Sequence, residues 1–142
     1  MNCLEDVTKA LFQRFTNKCK DVKFVRSFPE KPTEFPVLAP TVAISIKNAE
    51  IPLSEGVFLG KTVENVNCYG VFASVTYSLT ICVPKKRSGN ATYETFDKIV
   101  NSILGLNSIY VTSARCYDIH YDRNMGALVL PAEIDVKAEL LS

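Results

Sequence analysis

From Val71 to Val83 every odd position is apolar (Val71, Ala73, Val75, Tyr77, Leu79, Ile81, Val83). After Phe72 the even positions are small and mostly hydroxylic: Ser74, Thr76, Ser78, Thr80 and Cys82. From Leu128 to Leu140 the pattern returns on even numbers (Leu128, Leu130, Ala132, Ile134, Val136, Ala138, Leu140), with Glu133, Asp135, Lys137 and Glu139 between them. A period of two marks a pleated strand with one dry and one wet face. Two such strands predict a sheet that needs a cover on one side only and leaves a broad polar face on the other.

The remaining elements follow from local patterns. Leu4, Val7, Leu11, Phe12 and Phe15 fall at helical spacing, so residues 4 to about 18 read as an amphipathic helix. Val22 to Phe28 reads as a short strand with Val22, Phe24 and Arg26 on one side. Pro29, Pro32, Pro36 and Pro40 then require an extended passage outside the sheet interior, because proline lacks the ladder donor and fixes φ. Thr41 to Lys47 alternates again, with Val42, Ile44 and Ile46 facing one way. Residues 48–70 are broken by Pro52, Gly56, Gly60 and Gly70 around an apolar Val57-Phe58-Leu59, which reads as a long, partly stranded loop or hairpin arm. After a polar turn at 84–89, a second helix is expected with Asn90 as its N-cap and Glu94 in its first turn. Tyr93, Phe96, Ile99, Val100, Ile103 and Leu104 form its expected apolar stripe, and Gly105 its C-terminal stop. A strand over 108–121, with Ile109, Val111, Tyr117, Ile119 and Tyr121 on the dry face, joins the closing strand through a Gly-containing hairpin loop. The fold class is α+β: a single largely antiparallel or mixed β-sheet with two helices packed on one face, in one domain over residues 1–142.

Composition changes little in this picture. With 142 residues, 47% hydrophobic and 22% charged, the chain can bury a sizeable core. A net charge of +1 provides no global field for nucleic acid or an anionic membrane, and no apolar run reaches the roughly 20 residues of a membrane span. Met1 to Asp6 shows no basic-then-apolar secretory pattern. Five cysteines, odd in number, widely spaced and without a C-x-x-C pair, point to reduced thiols in a cytosolic compartment. Asn90-Ala91-Thr92 spells a glycosylation acceptor that has no meaning without secretion.

Candidate chemistry is sparse. Cys116, Asp118, His120 and Asp122, two residues apart, would share one face of a continuous strand and could hold a divalent metal or a thiol nucleophile. Same-face neighbours about 7 Å apart are awkward for several ligands on one ion, and a row of wet-face residues explains the spacing as well. Lys85-Lys86-Arg87 could meet phosphate or an acidic partner, although a solvated turn accounts for it more simply. No phosphate-loop, dinucleotide, nucleophile-elbow or zincin motif is present, and no basic stripe with interleaved aromatics suggests sequence-specific nucleic-acid binding. This breadth of missing chemistry favours a structural protein over an enzyme, and no catalytic, cofactor or metal residue is assigned.

The layout carries a family resemblance. An N-terminal helix precedes the proline-rich passage from Phe28-Pro29 to Pro40 and the strand Thr41-Val42-Ala43-Ile44-Ser45-Ile46. A long central strand leads to the helix Tyr93-Glu94-Thr95-Phe96-Asp97-Lys98-Ile99, and a hairpin through Tyr121-Asp122 closes the chain. This order resembles the tail-terminator (tail-completion) proteins of bacteriophages and phage-tail-like bacteriocins. The resemblance implies a ring, usually a hexamer, that sits on the end of the tail tube and stops its polymerisation. Its partners would be further copies of itself, the tube protein, the neck or head connector and, in contractile particles, the sheath; no cofactor is implied. It also implies assembly in the bacterial cytoplasm and residence in the finished tail or virion. A closed ring demands a heterologous interface whose rotation closes. The expected contact elements are the 48–70 arm, the 84–89 turn and exposed strand edges, with Val57, Phe58, Leu59, Lys61, Lys85, Lys86 and Arg87 as interaction residues. The alternatives are another head–tail joining component, a small metal or thiol enzyme on the Cys116 strand, or a monomeric module binding through the polar face.

Overall fold

A computed structural model of the chain describes residues 3–26, 39–52, 57–61, 67–87, 89–106 and 109–141. Its elements run α1 (Leu4–Lys18), β1 (Lys23–Arg26), β2 (Thr41–Glu50), β3 (Val57–Lys61), β4 (Asn67–Pro84), α2 (Asn90–Ile103), β5 (Ile109–Cys116), β6 (His120–Asp122) and β7 (Ala127–Leu141). The two alternating segments become its spine. β4 and β7 pair antiparallel from Gly70↔Leu141 to Pro84↔Ala127, in a register that places Val75 opposite Val136, Tyr77 opposite Ile134 and Ile81 opposite Leu130. Odd apolar positions therefore meet even apolar positions on one face, and a slip of one residue would expose both rows.

Shorter strands line both sides of the spine. β2 runs antiparallel to β4, and β3 pairs with the start of β4 beyond it. On the other side β5 and β6 both pair with β7, while β1 lies parallel to β2. The described residues thus form a seven-stranded mixed sheet in the order β1-β2-β4-β7-β5, with β3 on β4 and β6 on β7. Both helices cover the dry face. Val7, Leu11 and Phe15 of α1 and Ile99 and Ile103 of α2 are buried against the β4 and β7 rows. Phe15 stacks on Phe24 of β1, and Arg14 Nε donates to the Ser102 carbonyl at 2.6 Å, tying one helix to the other.

Several local expectations are corrected. Asn90 is the first helical residue of α2 rather than its cap; Gly89 takes that position with helical dihedrals, and Thr92 Oγ1 donates to its carbonyl at 2.6 Å. The first turn accordingly holds no acidic residue, and Glu94 lies past it. The buried stripe is Thr92, Thr95, Ile99, Ser102 and Ile103, while Tyr93 and Leu104 are exposed. The hydroxyls of Thr92, Thr95 and Ser102 donate to carbonyls of their own helix turn (Gly89, Ala91, Ile99). With its polar atom satisfied locally, a small side chain can lie against the sheet, and the bulkier Tyr93 and Leu104 rotate outward. Gly105 does stop the helix, at φ +81°.

On β2, Val42 and Ile44 are buried as expected but Ile46 is exposed, and the strand extends to Glu50 past a register shift between Ile46 and Asn48. Within the partly stranded segment expected over 48–70, residues 48–50, 57–61 and 67–70 belong to strands. β1 follows the expected strand up to Arg26; residues 27–38, most of the proline-rich passage, lie outside the described residues. Pro40 is described, and its carbonyl accepts from Lys23 N at 2.9 Å.

Candidate functional site

The strand expected over 108–121 is broken. β5 pairs Val111 with Val136 and then Ser113 with Asp135, so Thr112 is an extra residue on the β5 side. One inserted residue moves the remaining side chains of β5 to the other face, and the strand then breaks off at Cys116 before β6 begins at His120. Ile109 and Val111 face the core before the bulge, and Ala114 and Cys116 face it afterwards. Tyr117, expected inside, is exposed, as is Tyr121. Cys116 thus turns to the core at the end of β5, Asp118 lies in the link before β6, and His120 and Asp122 sit in β6 opposite Val129 and Ala127. Asp122 Oδ1 accepts from Met125 N at 3.1 Å, which holds the following turn. The four residues do not share a strand face, and no group of three His, Cys, Asp or Glu among the described residues could hold a metal ion.

The expected interaction residues separate into two places. Val57, Phe58, Leu59 and Lys61 belong to β3, which pairs with the first residues of β4 from Val57↔Gly70 to Lys61↔Asn67; their side chains lie outside the described residues. Lys85, Lys86 and Arg87 follow the last residue of β4. At about 3.3 Å per residue, the two sets lie about 50 Å apart along one strand. They cannot belong to one contact patch. The basic turn is well formed: Arg87 N donates to Pro84 O at 2.9 Å, Lys85 N to Gly126 O at 3.2 Å, and Lys85 Nζ lies 5.3 Å from the centroid of the Tyr121 ring.

The open face between these ends carries a cluster that the sequence did not reveal. Glu133, on the face expected to be wet, is only 5% exposed. Lys47, the register-shift residue of β2, reaches its Oε2 at 2.6 Å, and Arg115 of β5 donates to its Oε1 from Nη2 at 2.7 Å. Tyr117 Oη donates to the same Oε1 at 2.8 Å. Arg115 also pairs with Asp135 at 2.7 Å, and Thr76 Oγ1 of β4 donates to Asp135 Oδ1 at 2.7 Å. One network thereby crosses β2, β4, β7 and β5. The hydrogen bonds from Lys47 and Tyr117, with Arg115, pull the Glu133 carboxyl down to about 2. Arg115 and Thr76 lower Asp135 as well. Glu133 and Asp135 were visible as charged odd positions, but Lys47 and Arg115 come from strands whose pairing only the fold establishes.

The open face is also drier than expected near the basic turn. Cys82, Ala127 and Val129 are buried there beside Met125, and burial pushes the Cys82 thiol up to about 12. The cysteines with described side chains, Cys3, Cys19, Cys82 and Cys116, are free thiols.

No protein-family model matches this chain, and no curated protein matches it. Among solved structures, 99% of it aligns with a chain from a cryo-EM structure of an extracellular contractile injection system, the PVC sheath/tube terminator in its extended state. The TM-score is 0.52 and the identity 15%, and this chain spans 57% of the length of that one. At that identity the likeness is one of fold: the two-helix, mixed-sheet domain built here is similar to the one in a sheath/tube terminator, the kind of protein that the order of elements in the sequence resembles.

Proposed function

We propose that this chain is a structural assembly protein of a phage-tail-like, contractile particle, and that it acts as a cap on the tail tube. Copies join in a closed ring, expected to contain six, through a heterologous interface between unlike sides of the domain. One end of the long sheet meets the last layer of tube subunits, and the other is offered to the sheath or neck. A further tube layer finds no matching surface there, so polymerisation stops. In this reading the chain acts by shape and contact, without catalysis or cofactor, and passes from the bacterial cytoplasm into the finished particle.

The observation that supports this reading is the fold likeness over 99% of the chain to a sheath/tube terminator. The separation of the expected contact elements to opposite ends of β4 fits a protein that must touch two different neighbours.

Light scattering of the purified chain should give a species near six times the 15.8 kDa monomer, about 95 kDa. Added to a growing tube of the neighbouring tube protein, the chain should shorten the tubes and leave extra density on one end in negative-stain images. A monomer at every concentration, with tube lengths unchanged, would overturn the proposal.

A further inference from the structure

We infer that the end of the sheet formed by the β4–α2 and β6–β7 turns is a docking site for an acidic protein surface. The chain brings Arg123, far away in sequence, beside Lys85-Lys86-Arg87. Pro84 pairs with Ala127, Lys85 N donates to Gly126 O at 3.2 Å, and the Lys85 ammonium lies 5.3 Å from the Tyr121 ring centroid. Two turns that look unrelated in sequence therefore make one basic surface of four exposed cations.

These charges are available to a partner. Among the described residues, Arg26, Lys47, Lys98 and Arg115 are held in ion pairs, whereas Lys85, Lys86, Arg87 and Arg123 have none. Two carboxylates lie nearby: Asp122, whose Oδ1 accepts from Met125 N and which offsets one of the four charges, and Asp21, which pairs with Lys98 at 2.7 Å and also feels Arg87. α2 starts immediately after the turn with neither a side-chain cap nor an acid in its first turn, so the positive end of its dipole adds to the same field.

The patch suits a protein better than a nucleic acid. A phosphate backbone recruits cations along a track. Here Lys85, Lys86, Arg87 and Arg123 gather at one end of the sheet, and the open face beyond them carries both signs, Lys47, Arg115 and Lys137 beside Glu50, Glu133, Asp135 and Glu139, so no basic track continues from the patch. Exposed Tyr121 beside Lys85, with Arg87 and Arg123 in the same patch, combines the aromatic and arginine side chains enriched at protein interfaces. Under the proposed function the acidic surface belongs to a neighbouring subunit of the particle. That choice of partner rests on the proposed function, whereas the charge argument does not.

The test uses the full chain and a charge-reversed variant (Lys86→Glu, Arg87→Glu, Arg123→Glu) that keeps Lys85 on its ring. A fluorescent poly-glutamate peptide and an oligothymidylate of equal length are titrated by anisotropy at low and raised salt. The peptide should bind, weaken as salt is raised, and lose about tenfold in affinity in the variant. A conservative exchange (Lys86→Arg, Arg87→Lys) should retain it, and circular dichroism should show the variants folded. Absence of peptide binding, equal binding by wild type and charge-reversed variant, or tighter binding of the oligothymidylate would overturn the inference. Light scattering and the tube-length assay on the same samples report capping separately: a ring that shortens tubes without peptide binding sinks this inference alone, and a monomer at every concentration that leaves tube lengths unchanged but binds the peptide sinks the capping proposal alone.

Discussion

A buried pair of hydroxyls holds α1 to the centre of the sheet, and its two halves should fail unequally. Thr8 Oγ1 donates to the Leu4 carbonyl at 3.0 Å and lies 2.9 Å from Tyr77 Oη. The threonine has one proton, already given to Leu4, so Tyr77 is the donor between them. Both residues are almost fully buried, at 2% and 0% exposure. Burial raises the phenol above its ordinary range, which keeps it protonated and able to donate. Tyr77→Phe removes the donor and leaves Thr8 still bonded to its helix, at a cost of about 1 kcal/mol. Thr8→Val is nearly isosteric but strands the tyrosine hydroxyl in the core with no acceptor, which costs about 1–3 kcal/mol. The double variant removes the stranded group too, so it should be no less stable than Thr8→Val alone, with a coupling of about 1 kcal/mol. Equilibrium urea denaturation of the four proteins, read at constant m, measures the cycle. A Thr8→Val cost no larger than that of Tyr77→Phe, with the two adding in the double variant, would refute the assignment of donor and acceptor.

Two further substitutions probe the open face and the helix stop. The folded Glu133 carboxyl sits near 2, below its ordinary 4.5, so its contribution is complete above about pH 4.5 and is lost as pH falls towards 2. Glu133→Gln should therefore lower stability at neutral pH and flatten the acid limb of a melting-temperature profile; an unchanged acid slope would count against the network. Gly105→Ala meets no neighbouring atom but must hold φ near +81°, so it should cost about 1 kcal/mol, or about 3 °C in melting temperature, through backbone strain alone. An unchanged melting temperature would show that the helix stop relaxes without penalty.

Where polarity alternates without interruption, the sequence reads as the structure does. Ala73, Val75, Tyr77, Leu79 and Ile81 are all buried, and their partners on β7 alternate in phase with them. The pattern loses its meaning where a single residue is inserted. Val111 and Cys116 both face the core although one is odd and the other even, because the Thr112 bulge lies between them. Composition carries no mark of that bulge: it is decided by how β5 meets β7, and it turns Cys116 to the core, while the break between β5 and β6 sets Cys116 apart from His120 and Asp122. The buried face of α2 departs from its hydrophobic pattern for a different reason. Hydrophobicity ranks Thr92, Thr95 and Ser102 below Tyr93 and Leu104, but a hydroxyl bonded to its own helix is no longer a polar group that burial penalises.

The candidate site lay further from view because it is made by strand pairing. Lys85 to Arg87 could be seen as a basic run, but Arg123 joins it only when Pro84 pairs with Ala127, and the β3 arm is removed from it only when β4 proves to be 18 residues long. The ionic network then gives this length a mechanical sense. A long, twisted pair of strands with short flanking strands would flex at its open face. Lys47 and Arg115 reach Glu133 from opposite sides, and Thr76 with Arg115 holds Asp135, so side-chain bonds cross from β2 over β4 and β7 to β5, between the arm and the basic turn. Such a plate resists relative motion of its two ends, and under the proposed function that would serve a cap meeting tube subunits at one end and a different neighbour at the other. The network thus reads as a brace across the open face, between the β3 arm and the basic turn.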